Sequence, residues 1–299
     1  MDVAAIAERR MAIICGDAPL TFSRVLKKGK IGENCLDFVP SLQPFLGENR
    51  VFQHPARGHH YYKREAKLPD TNQPPSTQVN SNFKIKVSKN GPYLVSGGIP
   101  LIQQVITFDP EGYSLGYREV KQYPLQMNYS LCRCGQSRTM PFCDGMHTNV
   151  GFDSTETAGR KPYLELAGRI FGPTLALLDV EELCASSRFC DRAGGIRRLI
   201  KQSDNPESRK LAIEEAGNCP SGRLVVWDAD DKAIEPVFVP SLVIVEDPQE
   251  DMNGPIWVRG GIPIEAADCT VYEIRNRMAL CRCGQSKNMP FCDGSHCIR

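Results

Sequence analysis

Two tryptophans, five histidines and no charge excess of either sign are what this 299-residue chain offers: 36 basic side chains stand against 35 acidic, for a net charge of +1. Near-neutrality excludes a broad basic surface, so no nucleic-acid partner is expected. No apolar run reaches the roughly 18 to 20 residues that cross a bilayer. Met1–Asp17 breaks its apolar stretch with Asp2, Glu8, Arg9 and Arg10. Neither a membrane anchor nor an export signal is therefore expected, and the expected compartment is the cytoplasm or an organelle interior. So few histidines, and no Gly-rich loop after a strand, leave little for a Ser-His-Asp or Cys-His hydrolase or for a phosphate cradle. Prolines (22) and glycines (25) are plentiful, which points to short strands and turns over an all-helical bundle.

Cysteine is the residue in excess. Thirteen is an odd count, and without an export signal it argues for thiolates kept reduced for metal over a disulfide framework. Their spacing repeats. CRCGQSRTMPFCDGMH at Cys132–His147 recurs as CRCGQSKNMPFCDGSH at Cys281–His296, identical at 13 of 16 positions. Upstream of each, NGPYLVSGGIPL at Asn90–Leu101 recurs as NGPIWVRGGIPI at Asn253–Ile264, identical at 8 of 12, so the repeated unit is a whole module. In both, an apolar alternation (Tyr93-Leu94-Val95, Ile256-Trp257-Val258) followed by Gly-Gly and Ile-Pro reads as a strand ending in a bulge or tight turn. Such a module is too small for a large apolar core and needs a staple, which the cysteines supply.

In an extended segment Cys132 and Cys134 leave the same face and reach one metal ion, while Arg133 points away. Cys143 and His147, four apart, stack on one face of a helical turn for a second ion. Cys281, Cys283, Cys292 and His296 repeat the pattern. Asp144-Gly145 and Asp293-Gly294 suit a turn opening a short helix, where the Asp accepts orphan backbone N–H bonds. Pro141 and Pro290 fix the loop between the two ligand pairs. The same four residues would also make a Cys3His zinc site, although C-x-C is tighter than the two- to four-residue spacing of zinc ligand pairs.

These residues resemble the mitoNEET-like CDGSH iron–sulfur family, whose pattern is C-x-C-x2-[ST]-x3-P-x-C-D-G-[SAT]-H. The second copy matches throughout, with Ser286, Pro290, Asp293, Gly294 and Ser295; the first departs at Met146, which bears on hydrogen bonding beside His147. The resemblance implies one [2Fe-2S] cluster per segment, held by three Cys and one His. The C-x-C pair would take one iron and the later Cys and His the other. One imidazole in place of a fourth thiolate leaves the cluster one unit less negative, which eases reduction. A ligand imidazole must also stay unprotonated, which links the cluster to pH. Because the family commonly forms homodimers, tandem duplication implies two modules paired about a pseudo-twofold axis inside one chain, itself a monomer.

Between the modules, LCASSRFCDRAGG (Leu183–Gly195) and NCPSG (Asn218–Gly222) resemble half of a bacterial ferredoxin, with Cys184, Cys190 and a Cys-Pro at Cys219. Ser187 stands where the middle cysteine of C-x2-C-x2-C belongs. Three thiolates suit a [3Fe-4S] cluster, or a [4Fe-4S] cluster with a non-cysteine fourth ligand; equally, all three are residues that cores bury as small hydrophobes. Around them lie an amphipathic stretch Asp179–Cys190, a second at Glu207–Ala216, and the strand-like Gly222–Trp227. Cys15, Cys35, Cys269 and Cys297 fit no metal spacing, and His59-His60 lack partners.

The expected architecture is mainly β with a small α+β central unit. Residues 1–82 form an extension and linker, 83–160 the first CDGSH module, 161–237 the ferredoxin-like segment and 238–299 the second module. The expected function is electron transfer by an iron–sulfur carrier with a redox partner. The alternative is cluster storage and donation to an apo-protein acceptor, and a third reading is a zinc-stapled interaction module.

Overall fold

The computed structural model describes residues 82–297. The readings of Met1–Ala66 and of the Lys67–Asn82 linker, with Cys15, Cys35, His59 and His60, fall outside them save for Asn82. The strands run β1 Lys84–Val87, β2 Tyr93–Ser96, β3 Leu101–Phe108, β4 Ser114–Gln122, β5 Asn128–Leu131, β6 Gly168–Phe171, β7 Ala176–Asp179, β8 Leu224–Trp227, β9 Ala233–Ile234, β10 Ser241–Asp247, β11 Met252–Arg259, β12 Ile264–Glu265 and β13 Arg277–Leu280. Three sheets result, ordered β12-β1-β2-β5, β13-β11-β10-β3-β4 and β6-β7-β8-β9, so the fold is mainly β.

The first two sheets are built from exchanged strands. Each module begins with an antiparallel hairpin, β1-β2 and β10-β11, and adds its cysteine-bearing strand, β5 or β13, alongside. The strand after each Gly-Gly turn leaves its own hairpin. β3 pairs in parallel with β10 (Leu101 opposite Leu242), and β12 pairs in parallel with β1 (Ile264 opposite Ile85). Gly97-Gly98 and Gly260-Gly261 have positive φ, which lets the chain turn away there. An isolated hairpin is marginal in water, and the exchange gives each one a third edge and a common core. That core takes Ile85, Val87, Tyr93, Val95 and Leu131 from the first module and Leu242, Ile244, Ile256, Val258 and Leu280 from the second. The two modules are thus paired in pseudo-twofold fashion.

The central unit is an antiparallel four-stranded sheet, its two helices inserted between β7 and β8, with a second core in which Leu175, Leu177, Leu224 and Val226 pack against Ile196, Leu199, Ile200, Ala212 and Ala216. The last five lie on two helices, α1 Ile196–Lys201 and α2 Pro206–Asn218. α2 starts where Asn205 Oδ1 accepts the N–H groups of Glu207 and Ser208, with Pro206 at the first helical position. The amphipathic stretch Asp179–Cys190 does not become a regular helix. It contains a short 3-10 turn, Glu181–Leu183, then Ser186 and Arg188 at positive φ, and the start of a second 3-10 segment at Phe189, as the chain wraps a cavity instead of presenting one face. No helix among the described residues is long and apolar enough to cross a membrane.

Candidate metal centres

In each repeat the strand that carries C-x-C is bridged to the segment that carries the third cysteine. Leu131 lies opposite Phe142, the Cys132 N–H donates to Pro141 O (2.8 Å), and the Cys143 N–H donates to Ser130 O (2.9 Å). Leu131 is fully buried on the core side. Strand alternation then sends Cys132 and Cys143 together to the opposite face. Leu280 and Phe291 repeat the bridge, with the Cys281 N–H on Pro290 O (2.9 Å) and the Cys292 N–H on Ala279 O (2.8 Å).

The donors are brought together as pairs. Cys132 and Cys134 Sγ are 3.8 Å apart, and Cys281 and Cys283 Sγ 3.5 Å. Cys143 Sγ is 3.3 Å from His147 Nδ1, and Cys292 Sγ is 3.4 Å from His296 Nδ1. The helical turn expected to stack Cys and His begins only after the cysteine, at Met146–Asn149 and Ser295–Cys297, and a left-handed glycine, Gly145 or Gly294, bends the chain between them. Among the described residues, no three His, Cys, Asp or Glu side chains converge as a single-ion site.

The other motif positions hold the loop. Asp144 Oδ1 accepts the Met146 N–H and its Oδ2 the Arg138 N–H; Asp293 does the same for Ser295 and Lys287. Met146 therefore keeps the backbone bond that Ser295 makes, since only its N–H is used. Ser137 and Ser286 each donate to the carbonyl before the third cysteine, Phe142 O and Phe291 O, both at 2.6 Å. Arg133 and Arg282 do point away and are buried: Arg133 donates to Ser88 O and Ser154 O, Arg282 to Gly254 O, Val245 O and Glu246.

The two segments meet back to back. A Cβ on Gly135 would lie 2.5 Å from Cys283 O, and a Cβ on Gly284 would lie 2.7 Å from Cys134 O. This contact is reciprocal, as a twofold requires. Tyr93 OH crosses the same interface to Cys281 O (2.7 Å) and Pro290 O (3.0 Å). The surroundings are unequal, however: Cys292 and His296 are 2% and 8% exposed, whereas Cys143 and His147 are part-exposed.

Burial makes thiolate formation costly. It pushes the Cys292 thiol up, and it does the same for Cys134. In the second pair, the hydrogen bond from Cys283, followed by the N–H groups of Ser286, Cys283 and Gly284, pulls Cys281 down to about 6, and that partner in turn drives Cys283 up. One buried anion is tolerated; three need compensating positive charge. A multiply charged metal centre supplies it, so the donor set fits such a group.

In the central unit, Cys184, Cys190, Cys219 and Ser187 line one small cavity of about 20 Å³. Ser187 is 8% exposed, and its hydroxyl makes no hydrogen bond among the described residues. Its loop abuts the second segment, with Ala185 packed against Cys292 and Ser186 against Gly294. Cys269 is exposed beside Lys86, and Cys297 is half-buried. Sequence reasoning missed Arg277, which comes from β13 and binds the carbonyls of Gly217, Cys219 and Leu224. Its position in an unremarkable alternation gave no signal.

Compared with protein families, residues 90–148 and 253–297 match the iron-binding zinc finger of CDGSH type, and residues 170–229 match the divergent 4Fe-4S mono-cluster family. No curated protein matches the chain.

Proposed function

From two CDGSH-type iron-binding segments around a divergent 4Fe-4S mono-cluster segment, which make this an iron–sulfur protein, we infer an electron carrier with two [2Fe-2S] clusters and a third cluster between them. Cys132, Cys134, Cys143 and His147 would hold the first, Cys281, Cys283, Cys292 and His296 the second, and Cys184, Cys190 and Cys219 the third. Bound there, such a group accepts and returns single electrons. The chain's own part is to hold, neutralise and space these groups. The observation that carries the reading is the pairing of donors: two S–S and two S–N pairs at 3.3–3.8 Å, one of each kind in each segment, as a bridged two-iron centre with one pair on each iron would need.

Proximity supports transfer over storage. The two C-x-C turns touch through Gly135 and Gly284, and the Cys184–Ser186 loop rests on Cys292 and Gly294, so all three sites lie in one packed unit. Half-exposed Cys143 and His147 give the first segment a route to a redox partner, while the second is covered.

Anaerobic purification with iron, zinc and acid-labile sulfide analysis tests this. About four irons per chain mean two [2Fe-2S] sites, and about seven or eight mean that the middle site is filled. A pale, sulfide-free, zinc-loaded chain removes the reading. His147→Cys and His296→Cys should each lower the potential of one centre and slow its loss in acid. Transfer of clusters to an apo-ferredoxin, in preference to reversible reduction, would favour donation instead.

A further inference from the structure

A cavity of about 330 Å³ lies between the central unit and the second module, beside the Cys184 loop but with a lining that shares no residue with the cavity of the central cysteines. Its size falls in the range of small-molecule sites, and its floor is apolar, with Tyr163, Tyr272, Met278, Ala279 and Phe291. Cys292 completes that floor. Three cations stand around it: Arg160, Lys161 and Arg275. The Arg275 guanidinium lies 4.2 Å from the Tyr163 ring centre and that of Arg160 3.8 Å from Tyr272, so two walls are already cation–aromatic pairs. Of two lining carboxylates, Glu273 is engaged by the Tyr163 N–H (2.7 Å) and Glu182 sits exposed at the rim. Among the described residues, Lys161 and Arg275 have no ion-pair partner, and Arg160 has only Asp268 at 3.8 Å. An apolar slot lined by three cations and two carboxylates, in which Lys161 has no ion-pair partner among the described residues, favours an apolar guest that carries one anionic group.

We propose that this cavity binds a planar, largely apolar small molecule bearing an anionic group. The ring system fits the corner that Tyr272 and Phe291 make, their planes 77° apart, with its face on one and its edge on the other, and the anion meets Lys161 and Arg160. Cys292 is in the floor, so the guest touches a ligand of the second cluster; only this last consequence rests on the iron–sulfur reading.

Equilibrium dialysis of the purified full chain against 1-anilinonaphthalene-8-sulfonate, with neutral N-phenyl-1-naphthylamine as comparison, tests it. One sulfonate probe per chain is expected. Val271→Trp and Leu166→Trp, both at exposed rim positions, should each abolish binding while far-UV circular dichroism stays native. Lys161→Glu should weaken the sulfonate about five- to tenfold and leave the neutral probe unchanged. No stoichiometric binding, or binding indifferent to both tryptophans, overturns the site; equal affinity for both probes overturns the anionic guest. In the coloured chain, the bound probe should shift the visible spectrum of one CDGSH centre. A colourless chain that still binds the probe would remove the clusters and keep the cavity.

Discussion

Arg277→Met should separate the central unit from the second module. Arg277 is 1% exposed, and its Nε and Nη2 grip Glu235 in a fork at 2.9 and 2.8 Å. Its Nη1 donates to Gly217 O (3.1 Å), Cys219 O (2.9 Å) and Ala216 O, and Nη2 also reaches Leu224 O (3.1 Å). The guanidinium thus satisfies carbonyls at the C-terminal end of α2, where helices leave them orphaned and favour a cation. Methionine keeps most of the volume but leaves the half-buried Glu235 carboxylate with only Asn276 (3.0 Å) and takes a donor from four carbonyls, of which Ala216 O and Cys219 O keep the N–H groups of Cys219 and Gly222. Removing one partner of a buried pair costs about 3–5 kcal/mol. For a unit of this size that lowers the thermal midpoint by about 6–20 °C at fixed scan rate. Thermal circular dichroism of the iron-loaded chain measures it, and iron analysis should show the middle site emptied first, because Cys219 has lost its anchor. Glu235→Gln with Arg277→Met should be less than additive. A shift under about 2 °C with all iron retained would refute the anchoring role.

Ser187→Cys completes a C-x2-C-x2-C run in the central cavity and should raise middle-site iron toward four with a changed EPR signal; an unchanged signal and iron content count against Ser187 facing a cluster. Gly135→Val would drive a side chain into the Cys283 backbone at positive φ and should abolish iron retention by both CDGSH segments, while soluble chain with native iron would contradict the shared interface. Burial lifts the carboxyl of Glu215 from 4.5 to about 8, with Arg192 drawing it partly back. The folded state keeps a proton that the unfolded state releases, so stability is full below pH 4.5, declines through about 8 and is flat above. Glu215→Gln should remove that slope, a gain on the order of a few kcal/mol at pH 8.5 in denaturant titrations; equal slopes in both proteins would sink the assignment.

The sequence alone carried the family resemblance. In both copies of C-x-C…C-D-G-x-H the Cys–Cys and Cys–His pairs are set within about sixteen residues, by alternation along a strand and by an Asp-Gly turn. Local rules of this kind are legible in one dimension. The same holds for the Gly-Gly turns, for Asn205-Pro206 at the start of α2 and for a Cys-Pro that resembles ferredoxins. Where β3 and β12 go was decided elsewhere, since parallel pairing between partners 141 or 179 positions apart depends on which hairpin offers an open edge and a complementary apolar face. Tertiary structure also broke the symmetry of the repeat. Nearly identical segments end with one His half-exposed and one covered, because the central unit packs Ala185 and Ser186 on only the second, through contacts that no local spacing encodes.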